Sequence, residues 1–218
     1  IKEETKDSSQ NRKRYAMIGA VTAWVAVLLQ LYLMLQNRTE TVGETLIRFF
    51  SFFTILTNIL VAVCLTSVVV RHKKMEGFFS SPITLSAVTV YILIVGLVYN
   101  LVLRSTWSPQ GLQMLVDELL HAVIPVFVFV FWLLFVRKDE LKGGIVYRWL
   151  LFPFAYLIFI LLRGSSSGFY PYPFINVPVI GYTKVINNTL ILMGVFLLFS
   201  FLLVGLAKLL LRKQRIRE

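Results

Sequence analysis

Residues 77–103, GFFSSPITLSAVTVYILIVGLVYNLVL, run from Glu76 to Arg104 without one charged side chain. At ~1.5 Å of rise per residue, a helix over such a run exceeds the ~30 Å hydrocarbon core of a bilayer. The pattern recurs. Arg14 to Arg38, Arg48 to Arg71 and Lys184 to Lys208 each enclose an uncharged run of spanning length. Two runs are less clean. Leu119 to Val136 is preceded by Asp117 and Glu118, which the same helix would hold, and Trp149 to Leu162 is short, so Arg148 and Arg163 must snorkel. The expectation is an all-α polytopic membrane protein, a bundle of six transmembrane helices near 15–36, 46–70, 83–103, 112–136, 146–163 and 187–210.

Composition agrees. Of 218 residues, 57% are hydrophobic and the mean hydropathy is +0.77, more apolar surface than a water-soluble domain of this size can hide. No segment has the ten-residue alternation of a membrane β-strand. The first apolar run is too long for the core of a cleaved signal and lacks a small-residue cleavage site.

The net charge of +11 sorts by loop. Seventeen of the 22 Lys and Arg fall in the two terminal tails and in alternate connections, and only five in the others. That alternation satisfies the positive-inside rule and predicts both termini in the cytoplasm. It also accounts for the basic charge without a nucleic-acid partner. The single cysteine, Cys64, falls within the second span, so no intrachain disulfide can order the loops.

The chain divides into a polar tail (1–14) expected to be disordered, a transmembrane domain (15–211) and a basic tail (212–218). The connection 164–186, rich in Pro, Tyr and Phe, is expected to fold over the outer mouth of the bundle or to anchor it at the interface.

Polar side chains are costly in lipid, so their spacing is informative. Ser51, Thr54, Thr57 and Asn58 form one stripe of the second helix, and Gln113, Asp117 and His121, each four apart, one stripe of the fourth. Asn100 lies near the outer end of the third. Counted from the helix starts, Thr54 and His121 reach a similar depth, ~12–13 Å. A threonine hydroxyl becomes a nucleophile when a neutral imidazole takes its proton, and a carboxylate one turn away can fix the imidazole tautomer. Asn58 and Asn100 could serve a developing oxyanion. Thr57 lies on the same stripe as Thr54, and spacing does not choose between them. Each hydroxyl could equally bond back to its own helix. Asp117 and Glu118 could instead pair with Arg48 or Arg104. Arg48, Arg104 and Arg163 stand near the outer boundary, where they could attract a lipid carboxylate or simply snorkel. His72, in a basic run, reads as solvated surface, and Asn187 as a cap for the last helix. With two histidines and one cysteine, neither metal nor cofactor is expected.

FFSFFTILTNILVAV (49–63), ELLHAVIP (118–125), WLLFPFAYLIFILLRG (149–164) and GFYPYPFINVPVIGY (168–182) resemble, in this order, a bacterial family of six-transmembrane proteins. That family is distantly similar to the eukaryotic androgen-induced membrane hydrolases of fatty acid esters of hydroxy fatty acids. The resemblance covers nearly the whole chain after Arg14. It implies an intramembrane threonine hydrolase acting on a lipid or fatty ester, with Thr54 matching the nucleophile and His121 the histidine. Tyr172, within the last motif, is a further candidate for substrate binding. The competing expectation is a lipid-binding or transport protein without catalysis.

Overall fold

The computed structural model describes residues 2–70 and 77–215, with side chains described for 9–70 and 77–213. The basic run containing His72 lies outside the described residues. The chain is 87% helical, and no strand occurs among the described residues. Among the described residues six helices are long and apolar enough to cross a membrane: Ser9–Gln36, Phe53–Val70, Pro82–Thr106, Gly111–Phe135, Gly143–Ser167 and Val177–Lys213. Large apolar side chains such as Leu28, Leu134, Leu162 and Leu190 cover the outside of the bundle, as a lipid solvent requires.

The first helix, α1 (Lys2–Gln36), carries Ala16, Ala20, Ala23 and Ala26 on its buried face. Small residues at this spacing let two helices approach closely in lipid, and α1 lies along α3 (Phe53–Val70) with Trp24 Nε1 donating to Thr66 Oγ1 at 3.2 Å. The tail expected to be disordered is helical from Lys2, and it contains no Gly or Pro.

The second span is not one helix from residue 46. A shorter α2 (Val42–Ser51) stops at Phe52, whose backbone is extended (φ −83°, ψ 124°), and α3 starts anew at Phe53. Two tyrosines satisfy the backbone groups freed by the break: Tyr156 donates to Ser51 O at 2.8 Å, and the Thr54 N–H donates to Tyr172 Oη at 3.3 Å. Thr54 therefore stands in the first turn of its span rather than two turns down it.

The third span joins α4 (Pro82–Val98) to a π-helical turn, Tyr99–Leu103, and the fourth joins α5 (Gly111–Glu118) through a second π-turn, Leu119–Val123, to α6 (Ile124–Phe135). The fifth contains α7 (Val146–Trp149) and α8 (Leu151–Ser167). The sixth, α9 (Val177–Arg215), starts ten residues before the expected position, so the connection that caps the bundle is 168–176. Pro178 permits this, because a proline in the first turn gives up an N–H that has no helical acceptor, and a non-helical Gly181 (φ 78°, ψ 159°) then kinks the helix. Asn187 lies exposed inside α9 rather than at its cap.

The cap is pinned at both ends. Gly168 (φ 72°) ends α8 in the left-handed region that glycine tolerates, Tyr170 packs against Gly164, and Asn188 Nδ2 donates to Phe174 O at 2.9 Å. Glu44 bonds both Arg48 and Arg163 at 2.8 Å, and both guanidiniums lie over the Phe169 ring, at 4.7 and 4.9 Å.

Candidate active site

The histidine is positioned by a chain of local consequences. Pro125 has no N–H, so the carbonyl of His121, four residues earlier, loses its helical donor. Ile124 N–H bonds Leu119 O in the π-turn instead of Leu120 O, which frees a second carbonyl. Two asparagine amides fill both places: Asn100 Nδ2 donates to His121 O at 3.1 Å, and Asn58 Nδ2 reaches Leu120 O at 3.5 Å. Gly96 makes the approach possible, since a Cβ there would lie 3.0 Å from His121 O. Single π-turns of this kind recur at functional sites because they re-aim a side chain.

The ring is held from two further sides. Its Nδ1 lies 2.9 Å from Asp117 O and 3.3 Å from Asp117 Oδ1. The Tyr99 ring stacks on it at 3.8 Å, while the Tyr99 hydroxyl donates to the other Asp117 oxygen and accepts from Trp107 Nε1 at 3.2 Å. With Nδ1 engaged, Nε2 is the nitrogen left for proton transfer, and among the described residues it has no hydrogen-bond partner.

His121 and Thr54 line one cavity of ≈500 Å³, within the range of small-molecule sites. Gln30, Arg48, Trp107, Gln113 and Tyr172 also face it; Gln30 and Gln113 pair across it at 2.9 Å. No hydrogen bond joins the Thr54 hydroxyl to the His121 ring among the described residues. A second, smaller cleft of ≈90 Å³ is almost wholly apolar, lined from α3, α4, α8 and α9. Thr54, Tyr172 and Leu103 line both. Thr54 thus sits in the wall between a polar cavity and an apolar one. Burial raises the Tyr172 phenol above its ordinary value, so the group beside Thr54 N–H is a neutral hydroxyl.

No known family model, curated protein or solved structure matches the chain.

The other sequence candidates fall in different places. Thr57 and Asn58 are fully buried and face neither cavity. Both amide hydrogens of Asn58 are directed to carbonyls (Thr54 O and Leu120 O), and those of Asn100 to Gly96 O and His121 O. An amide so engaged has no donor left for an oxyanion, and these two asparagines hold the histidine's turn instead. The arginines already have acidic partners: Arg48 with Glu40 and Glu44, Arg163 with Glu44, Arg104 with Glu118. Of the three, only Arg48 faces the polar cavity. Asp117 pairs with neither Arg48 nor Arg104.

Tyr99, Trp107 and Tyr156 were not evident from spacing. Tyr99 immediately precedes Asn100, and a tyrosine at a polar helix end wants a hydroxyl partner, which is the one local signal. Trp107 reaches back eight residues across a helix end to Tyr99, and Tyr156 acts on Ser51, 105 residues away; neither leaves a signal in the spacing.

Proposed function

We propose that the protein is an intramembrane ester hydrolase acting on a lipid or fatty ester, with Thr54 as nucleophile, His121 as general base and Asp117 fixing the imidazole. The observation that carries this reading is the position of Thr54, on the wall shared by a polar cavity containing His121 and an apolar cleft. An amphipathic ester would span that wall with its carbonyl at the hydroxyl.

In the first step Thr54 Oγ1 attacks the ester carbonyl as its proton passes to His121 Nε2. The tetrahedral oxyanion collapses, the C–O bond to the alcohol breaks, and the leaving alkoxide takes the proton from His121. Water, deprotonated by the same nitrogen, then cleaves the acyl-threonine and restores the hydroxyl. The Tyr172 hydroxyl, which accepts from Thr54 N–H at 3.3 Å and keeps its own proton, is the donor available to the oxyanion.

The interior towards the opposite end of the bundle is packed with Val61, Leu65, Val88, Ile92 and Trp132, all buried. A polar path across the membrane would need side chains that these are not, and this favours a blind site over a transporter. The second reading, lipid binding without catalysis, is favoured by the missing Thr54–His121 hydrogen bond, a contact that catalytic pairs often tighten only with substrate bound. The charge alternation of the loops supports cytoplasmic termini, and hence a site opening towards the outer leaflet; the resemblance to a bacterial family is what supports a bacterial inner membrane.

The test is release of fatty acid from a panel of long-chain esters by purified wild type, Thr54→Ala and His121→Ala. Turnover lost in both variants with folding retained supports the hydrolase. Equal release in all three marks a contaminant, and release from none moves the assignment to lipid binding.

A further inference from the structure

The apolar cleft has a geometry the catalytic residues do not require. Its walls are Ile94, Val95 and Val98 of α4, Pro153 and Leu157 of α8, and Leu192, Met193 and Phe196 of α9. An aromatic cluster closes it on the core side: Phe196 lies 5.9 Å from Phe53 and 6.1 Å from Tyr91, with Phe152 against both of those rings at 5.3 and 5.2 Å. On the opposite side Leu157, Leu192 and Met193 are half-buried, while their neighbours Ile158, Phe159, Leu190 and Ile191 are exposed on the apolar outside of the helices. The mouth therefore lies on the seam between α8 and α9, facing lipid.

We propose that this cleft binds the acyl chain of the ester, admitted sideways from the bilayer between α8 and α9, and so orients the substrate with its alcohol in the polar cavity. The occupant follows from chemistry. Besides the Thr54–Tyr172 end the walls hold two hydroxyls, Tyr156, which already donates to Ser51 O, and Thr189, and the rest is apolar, so a ligand there must be apolar along most of its length and polar at one tip. The cleft's ≈90 Å³ is smaller than the roughly 150 Å³ apolar cavity that takes a benzene ring. Only the first few carbons next to the carbonyl fit inside, and the remainder of a long chain leaves through the α8–α9 seam into lipid. The aromatic cluster forbids the inward alternative. The inference rests on the hydrolase reading for the position of the carbonyl but not for the occupancy of the cleft.

Met193→Trp plugs the cleft from α9 and Leu157→Trp plugs it from α8, while Leu190→Trp, on the exposed face of α9, adds the same bulk to lipid. Wild type and variants are compared in nanodiscs on 4-nitrophenyl palmitate and 4-nitrophenyl acetate. Each plug is expected to cut palmitate turnover by at least about tenfold and to leave acetate within about twofold; Leu190→Trp should change neither. A diazirine-bearing palmitic acid supplies a readout that needs no hydrolysis. It should label residues 189–196 in wild type and in Leu190→Trp, and should lose that label in both plugged variants. A wild type inert to both esters but labelled in this pattern refutes the hydrolase and keeps the acyl cleft. Labelling indifferent to both plugs, or palmitate and acetate turnover falling together, overturns the cleft.

Discussion

Asn100 donates its side-chain amide to the carbonyl of His121 at 3.1 Å, in place of the backbone N–H that Pro125 does not have. One residue withdraws a donor and another, on a neighbouring helix, restores it. The outcome is a π-turn whose shape depends on a tertiary contact, with the site histidine at its centre.

The exchange can be reversed. Asn100→Leu keeps the volume but leaves His121 O without its donor, at a cost of about 1 kcal/mol in stability. Pro125→Ala returns a backbone N–H to the same carbonyl. The double variant should therefore recover stability lost by Asn100→Leu alone, measured as the midpoint of thermal unfolding in detergent. Additive losses would show that the two residues act on different groups.

A second consequence concerns Thr57. Its hydroxyl is fully buried and has no hydrogen-bond partner among the described residues. A buried hydroxyl without a hydrogen bond costs about 1–3 kcal/mol. Thr57→Val removes it at nearly constant volume and is expected to raise the unfolding midpoint while leaving ester turnover intact. A lowered midpoint would mean that the hydroxyl has a water or ligand partner in the membrane.

The six spans were legible because a run without charges announces itself in any window of about 20 residues. The pairing of His121 with Asp117 was legible too, since four residues is one helical turn. The break at Phe52 was not. Its two backbone groups are answered by Tyr156 and Tyr172, more than 100 residues away, and nothing local marks an interruption in FFSFFTILT. The asparagines were read as donors to a reaction for the same reason. Spacing put them near the histidine, but it could not show that the carbonyls freed around Pro125 had already taken their hydrogens. Between Thr54 and Thr57 the sequence was silent, and the structure separates them because Thr54 lines both cavities whereas Thr57, one turn further along α3, is fully buried and lines neither.

The cap should respond to acid. Hydrogen bonds from Arg48 first and Arg163 second hold the Glu44 carboxyl below its ordinary value. A group lowered in the folded state contributes stability above its unfolded pKa, and loses it as pH falls through the folded one. The protection of residues 168–176 against hydrogen exchange, relative to the intrinsic rate at each pH, should thus be high at neutral pH and fall only once pH drops below the usual glutamate range. Glu44→Gln, which keeps the shape and removes the charge, should exchange fast throughout. Unchanged protection in that variant would assign the closure of the cap to Phe169 and Tyr170 packing alone.

Adjacent carboxylates of the fourth span give the sharpest test of the proposed chemistry. Asp117 accepts from Tyr99 and sits 3.3 Å from the histidine Nδ1, while Glu118 pairs with Arg104. Asp117→Asn conserves volume and can still accept from Tyr99. Its amide, however, can present an N–H to Nδ1 and so favour the tautomer whose proton is on Nε2, which cannot act as a base. Turnover of a long-chain ester should fall by roughly 10²–10⁴ with KM little changed, in line with the loss seen when the orienting carboxylate of a triad becomes an amide. Glu118→Gln should stay within about threefold, because an exposed ion pair is worth under about 1 kcal/mol. Both variants must first elute as folded, monodisperse protein. Equal losses in the two would make this turn's carboxylates structural and remove Asp117 from the mechanism; a loss confined to Asp117→Asn would tie the intramembrane imidazole to base catalysis.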